Sequence, residues 1–179
     1  MSDNIANSSV KEKVFLDTAF LASFSIDNHK DFFKAQKLLA ELVLKYEMHT
    51  SPLCFYELWK VVKKHNDYNK GNKRFLRKVN GILKFVYIGI LFEEINFSFK
   101  KVIGQLKSAS NRIIESKFIH ITNLNGDDIK MALYAIDNFD QKPGDAFHFS
   151  SIKNLGINYV ATGNKKDFER MGLKVIWFR

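Results

Sequence analysis

Apolar residues along this chain follow two alternating rhythms. Short apolar runs bounded by polar or turn residues predict strands buried in a sheet. They fall at Lys13–Asp17, where Val14, Phe15 and Leu16 precede the acid, and at Tyr46–Thr50, Lys117–Ile121, Asn158–Thr162 and Lys174–Phe178. Between them, apolar positions recur at the three- and four-residue spacing of an amphipathic helix. Phe32, Ala35, Leu39, Leu42 and Val43 form one such stripe, in a helix opening at Asn28 or His29 and running to Lys45. Phe55, Leu58, Trp59 and Val62 form another, opened by Ser51 as cap and Pro52 at the first helical position, and ending near Asn66. After a loop at Asn69–Asn72, the spacing of Phe75, Leu76, Val79, Ile82, Leu83 and Val86 predicts a basic amphipathic helix. From Glu93 to Glu115 the apolar positions step by four and three, which suits either a short heptad seam or a helix packed on its neighbour. Asn125 with Asp128 predicts a capping box ahead of a helix to Asn138. Gly144–Leu155 reads as the last helix, stopped by Gly156.

Strands alternating with helices predict an α/β fold: a central parallel sheet covered on both faces, a three-layer α/β/α sandwich. With 179 residues, 46% of them hydrophobic, residues 11–179 are expected to form a single domain with its own core. Residues 1–10 are small and polar and read as a loose, flexible N-terminus rather than a signal peptide. No run approaches the roughly 18 apolar residues of a membrane span. The lone Cys54 excludes an intramolecular disulfide, suits a reducing cytoplasm and reads as a small core residue.

Charge sharpens this picture. The net charge is +9, and Lys60–Lys117 holds fourteen Lys and Arg against four acids, so this middle segment carries the whole excess. A cationic helical insert at about 70–116, flanked by acids, suits a polyanion held by one part and processed by another; the plainer reading is a solvated basic surface.

The acids stand at element boundaries. Asp17 closes the first strand, Glu57 lies in the helix opened by Ser51-Pro52, Asp145 follows Pro143-Gly144, and Asn164 and Asp167 follow the run Tyr159–Thr162. Open α/β sheets place their sites at the carboxyl ends of strands, and carboxylates gathered there are what a hard divalent cation such as Mg²⁺ or Mn²⁺ requires. Taken singly, Asp145 could serve a helix dipole, Asp167 a turn, and Glu57 the solvent. Asp17, directly after a buried strand, needs a partner. The five histidines show no zinc spacing. His148, three residues after Asp145 on the same helix, reads as packing against the site or reaching into it. Ala19 rules out an Asp-x-Asp phosphatase nucleophile, and no Gly-rich phosphate loop occurs.

Phe15-Leu16-Asp17-Thr18, Ser51 with Glu57, Gly144-Asp145-Ala146-Phe147-His148, and Thr162-Gly163-Asn164-Lys165-Lys166-Asp167-Phe168 together resemble a PIN-domain ribonuclease of the VapC toxin kind, over Val14–Val175. The resemblance implies that Asp17, Glu57 and Asp145 are the catalytic acids that bind Mg²⁺ or Mn²⁺. It makes Asn164 the fourth metal position, shared with Asp167, and gives Thr18 and Thr162 supporting roles. It further implies cleavage of RNA, an antitoxin partner and a homodimer. Lys73, Arg74, Arg77 and Lys78 of the insert are expected to hold the RNA backbone. Two departures stand out: the segment from Lys70 to Ser116 is longer than in compact toxins, and Asn164 replaces a carboxylate. An RNA-processing nuclease without antitoxin, and a nucleic-acid-binding module with vestigial acids, are the alternative readings.

Overall fold

A computed structural model describes residues 10–27, 29–62 and 103–178. The flexible N-terminus expected at 1–10 lies outside them except for Val10. So do the helix end near Asn66, the loop at 69–72, the basic helix over 75–86 and all but the end of the 70–116 insert.

Five strands form one sheet: β1 Glu12–Leu16, β2 Tyr46–Thr50, β3 Ile119–Ile121, β4 Tyr159–Ala161 and β5 Lys174–Ile176. Every pairing is parallel and the order is β3-β2-β1-β4-β5, as the alternation of strand and helix patterns requires. The central strand shows why its sequence is a continuous apolar run: Val14, Phe15 and Leu16 are all fully buried, so both faces of β1 are covered.

The helices are α1 Thr18–Ser25, α2 Phe32–Lys45, α3 at 52–62, α4 at 103–114, α5 Gly126–Phe139, α6 Pro143–Asn154 and α7 Lys165–Arg170. From β1 the chain steps outward through β2 to β3, then returns to add β4 and β5 on the other side of β1. Right-handed crossovers therefore put α1–α4 on one face of the sheet and α5–α7 on the other. Among the described residues no helix is long and apolar enough to cross a membrane.

Three elements differ from the sequence-based expectation. Helix α1 is buried along nearly its whole length, Thr18 and Phe20–Ser25 included, so it shows no polar stripe to betray it. Helix α7 has six residues with only Phe168 buried, too short to display a period. Helix α2 opens at Phe32, not Asn28 or His29, because residues 29–31 form a turn in which His29 accepts the Phe32 N–H.

The capping box at α5 is present and does more than end a helix. Asp128 is buried; its Oδ2 accepts the Asn125 N–H at 2.7 Å, while Oδ1 accepts from Ser150 Oγ at 3.0 Å and Asn154 Nδ2 at 2.9 Å. This one carboxylate knits α5 to α6, the helix that carries Asp145.

Candidate metal centre

The reversal of strand order falls between β1 and β4, and the register there decides what meets. Leu16 pairs with Ala161, so the next residues, Asp17 and Thr162, emerge side by side at the carboxyl end of the sheet. The Asp17 N–H donates to Ala161 O at 3.1 Å, and Thr162 Oγ1 donates to Asp17 Oδ2 at 2.6 Å. The partner that Asp17 requires is thus Thr162. The same hydroxyl accepts the Asn164 N–H at 2.9 Å, and Asn164 Nδ2 donates to Asp167 Oδ2 at 2.8 Å. That bond leaves the Asn164 amide oxygen as the atom available to a ligand. Asp167 is neither a turn residue nor free: it sits in the first turn of α7 and orients Asn164.

Glu57 arrives from α3. Its Oε2 accepts from Thr18 Oγ1 at 2.6 Å and pairs with His148 Nε2 at 2.9 Å. Its Oε1 lies where a side chain on Gly144 would begin: a Cβ there would stand 2.9 Å away. Glycine before Asp145 therefore keeps that oxygen's surroundings open. Burial would raise the Glu57 carboxyl, but the hydrogen bonds and charge of His148, the Thr18 hydroxyl and the Lys60 ammonium outweigh it and hold the pKa below its ordinary value.

Asp145 joins the group through its field. Burial pushes its carboxyl up, His148 pulls against that, and the negative charges of Asp167, Asp17 and Glu57 add to the rise. The charges of Asp17 after β1, Glu57 on α3 and Asp167 on α7 thus reach Asp145 on α6. For His148 burial favours the neutral ring, yet Cys54, Glu57 and Asp17 raise its pKa well above the ordinary range.

Cys54 is buried, as its apolar surroundings suggest, but it is not mere filling: its Sγ lies 3.7 Å from His148 Nδ1. Among the described residues, Asp17, Cys54 and His148 are the acidic, histidine and cysteine ligands whose ligating atoms all fall within 4.8 Å of one another. They do not make one coordination sphere. Cys54 faces Nδ1 and Asp17 faces Nε2, opposite edges of the ring, and Nε2 is already committed to Glu57. The oxygens of Asp17, Glu57, Asp145 and Asn164 suit a hard cation better.

Hydrogen bonds therefore join Asp17, Thr162, Asn164 and Asp167 in one group and Thr18, Glu57 and His148 in another, with His148 Nε2 3.9 Å from Asp17 Oδ1 between them, while Asp145 enters through its charge. Lys73, Arg74, Arg77 and Lys78 lie outside the described residues. Sequence reasoning passed over Gly144 as a space-maker and Cys54 as a partner of His148. The one signal available was a glycine immediately before the acid and a histidine one turn after it.

The sequence matches the profile of the PIN domain over residues 14–174. Among curated proteins none matches it. Several solved structures resemble its fold. The Mycobacterium tuberculosis VapC20 toxin, described as cleaving the sarcin–ricin loop, superposes with a TM-score of 0.57 at 15% identity, over 88% of this chain and 94% of that one. VapBC2 from Rickettsia felis, bound to a DNA fragment from its promoter, gives 0.53 at 12% identity over 93% and 98%. FitAcB from Neisseria gonorrhoeae gives 0.50 at 13% over 91% and 96%.

Proposed function

The chain belongs to the PIN domain family, and from that premise we propose that it is a Mg²⁺- or Mn²⁺-dependent endoribonuclease that hydrolyses RNA phosphodiester bonds, acting as the toxin of a toxin–antitoxin pair. The observation that carries this reading is the way the acids are held. Thr162 ties one oxygen of Asp17, and Thr18 with His148 ties one oxygen of Glu57. In each case the second oxygen remains for a ligand, and Asn164 adds an amide oxygen.

The donor set fits the cation. Asp17, Glu57 and Asp145 would hold it, with Asn164 at the fourth position; all are hard oxygen donors, few enough to leave room for water and phosphate. Burial first, and the neighbouring acids after it, raise the Asp145 carboxyl, and a bound positive charge would offset both. When bound, the cation supplies Lewis acidity toward a phosphoryl oxygen and makes a water more acidic. The chain's own part is to fix orientation: Thr162 links Asp17 to the Asn164 backbone, and Thr18 and His148 aim Glu57, so the oxygens need not reorganise on substrate arrival. Lys and Arg of the 70–116 segment would hold the RNA backbone. An antitoxin and a second copy of the chain are the protein partners this reading implies. Ile129, Leu133 and Tyr134 on α5 are each more than half exposed and offer such a partner an apolar surface.

The test is cleavage of labelled RNA by the purified chain with Mn²⁺, with chelator, and as Asp145→Asn. Cleavage should need the cation and fall by on the order of a thousandfold in the variant, the loss of several kcal/mol of transition-state stabilisation. Cleavage that survives both chelation and the substitution overturns the reading, as does RNA left intact with Mn²⁺.

A further inference from the structure

Between the carboxylates and the core lies a histidine with every ring edge occupied. His148 is 1% exposed, and its ring stands 5.8 Å from that of Phe15 on the central strand. On one edge Nε2 is 2.9 Å from Glu57 Oε2. On the other, Nδ1 faces Cys54 Sγ at 3.7 Å. Cys54 is itself fixed, 3.6 Å from the Ser51 hydroxyl and 3.7 Å from Leu16 O at the end of β1. The imidazole therefore cannot rotate without losing contacts on both sides.

The chemistry of the two neighbours settles where a ring proton sits. A neutral ring protonated on Nδ1 would turn a lone pair on Nε2 toward the Glu57 carboxylate at hydrogen-bond distance, which is repulsive. In the neutral ring and in the imidazolium alike, Nε2 therefore carries a proton and donates it to Glu57, and the soft, weakly polar thiol is left to Nδ1.

We infer that His148 is a positioning residue: its imidazole, braced by Cys54, anchors Glu57 Oε2 and so sets the direction of Oε1, which lies against Gly144 and is the oxygen a cation would take. This rests on the reading of Glu57 as a cation ligand. Glu57 needs such help more than the aspartates do. It reaches the site through a longer, rotatable side chain from α3, whereas Asp17 is set directly by the sheet register. Thr18 contributes a second donor to the same oxygen, and neither donor contacts Oε1. Outer partners of this kind orient the ligand without touching the metal.

The experiment is titration of Mn²⁺ into the full chain without RNA, by calorimetry. His148→Leu, which keeps the volume and loses the donor, should weaken Mn²⁺ binding by roughly 10- to 100-fold, the usual effect of losing an outer partner. His148→Gln, which can donate again, should recover most of the affinity; a merely structural role would not show this rescue. Glu57→Gln is the control for the underlying reading. If it weakens Mn²⁺ binding while His148→Leu does not, the inference falls and the reading stands. If Glu57→Gln binds like the parent, or the parent does not bind Mn²⁺, both fall. Should His148→Leu fail to fold, long-range ¹H–¹⁵N correlation on the parent decides: a proton on the Nε2 of His148 is expected, and its absence overturns the proposal.

Discussion

At the carboxyl ends of β1 and β4, the side chains of Asp17, Glu57, Thr18, Thr162, Asn164 and Asp167 are each held by another side chain. At the amino ends of β1, β2 and β3 the same kinds of residue line open space instead. Lys11, Glu47, Lys117 and His120 help line an open cavity of about 350 Å³. Buried His49, further along β2, has its Nε2 3.0 Å from Glu47 Oε1. A second opening of about 280 Å³ lies at the amino ends of β1 and β4, with Lys11 and Lys13 on its wall. Both openings lie at the end of the sheet opposite the held oxygens. Empty space alone does not gather functional groups; what marks the carboxyl end is preorganisation, oxygen atoms fixed before any ligand arrives.

The sharpest way to break this contrast is to disturb the fixed end without touching a ligand. Gly144→Ala places a Cβ 2.9 Å from Glu57 Oε1. Glu57 is the far end of a flexible side chain, so the fold should survive with a small change in melting temperature. Its carboxylate must shift and strain the bonds from Thr18 and His148, and cleavage should fall by on the order of a hundredfold. Glu47→Gln and His120→Ala, at the amino end, should leave cleavage unchanged. Equal losses at both ends would show that the contrast has no functional meaning.

A smaller effect is expected at the outer rim of the site. Asp167→Ala removes the acceptor that orients the Asn164 amide, and Mn²⁺ affinity should drop by about tenfold. Asn164→Asp, by contrast, sets two carboxylates against each other, so it should tighten Mn²⁺ binding while lowering the stability of the cation-free protein. Calorimetric titration paired with thermal melts separates the two. Parental affinity in Asp167→Ala would remove Asp167 from the site.

The smallest effect belongs to His49 on β2. Burial lowers the His49 pKa below its ordinary 6.5; Glu47 opposes this, and His120 and Lys13 add to it. In the pH window below 6.5 the unfolded chain holds a proton that the folded one refuses, so stability is lost as pH falls through that window. His49→Asn should flatten the fall in urea midpoint between about pH 6.5 and 5. An unchanged slope would show that His49 does not titrate out of step with the unfolded chain.

The sequence made the strands legible because each is a short apolar run closed by a polar residue, and β2 matches its expected bounds of Tyr46 and Thr50. The position of Asp17 was legible for the same reason, since it stands where the first of those runs ends. What stayed hidden depends on tertiary contact. Helix α1 is covered on every side and so carries no stripe. The pairing of Cys54 with His148 joins positions 94 residues apart, and nothing local to either announces the other. Asp167 could be read as a turn or a ligand until the Asn164 amide was seen to lean on it.

The bond from Thr162 to Asp17 spans 145 positions, and β4, which brings Thr162 into place, is the last strand to join the sheet's centre. A chain emerging from the ribosome presents Asp17 early, but it cannot fix that carboxylate against Thr162 until β4 has been made and docked beside β1. Contacts of such long range close late in folding. On the proposed reading, a nuclease built this way would stay inert until β4 has been made and docked beside β1.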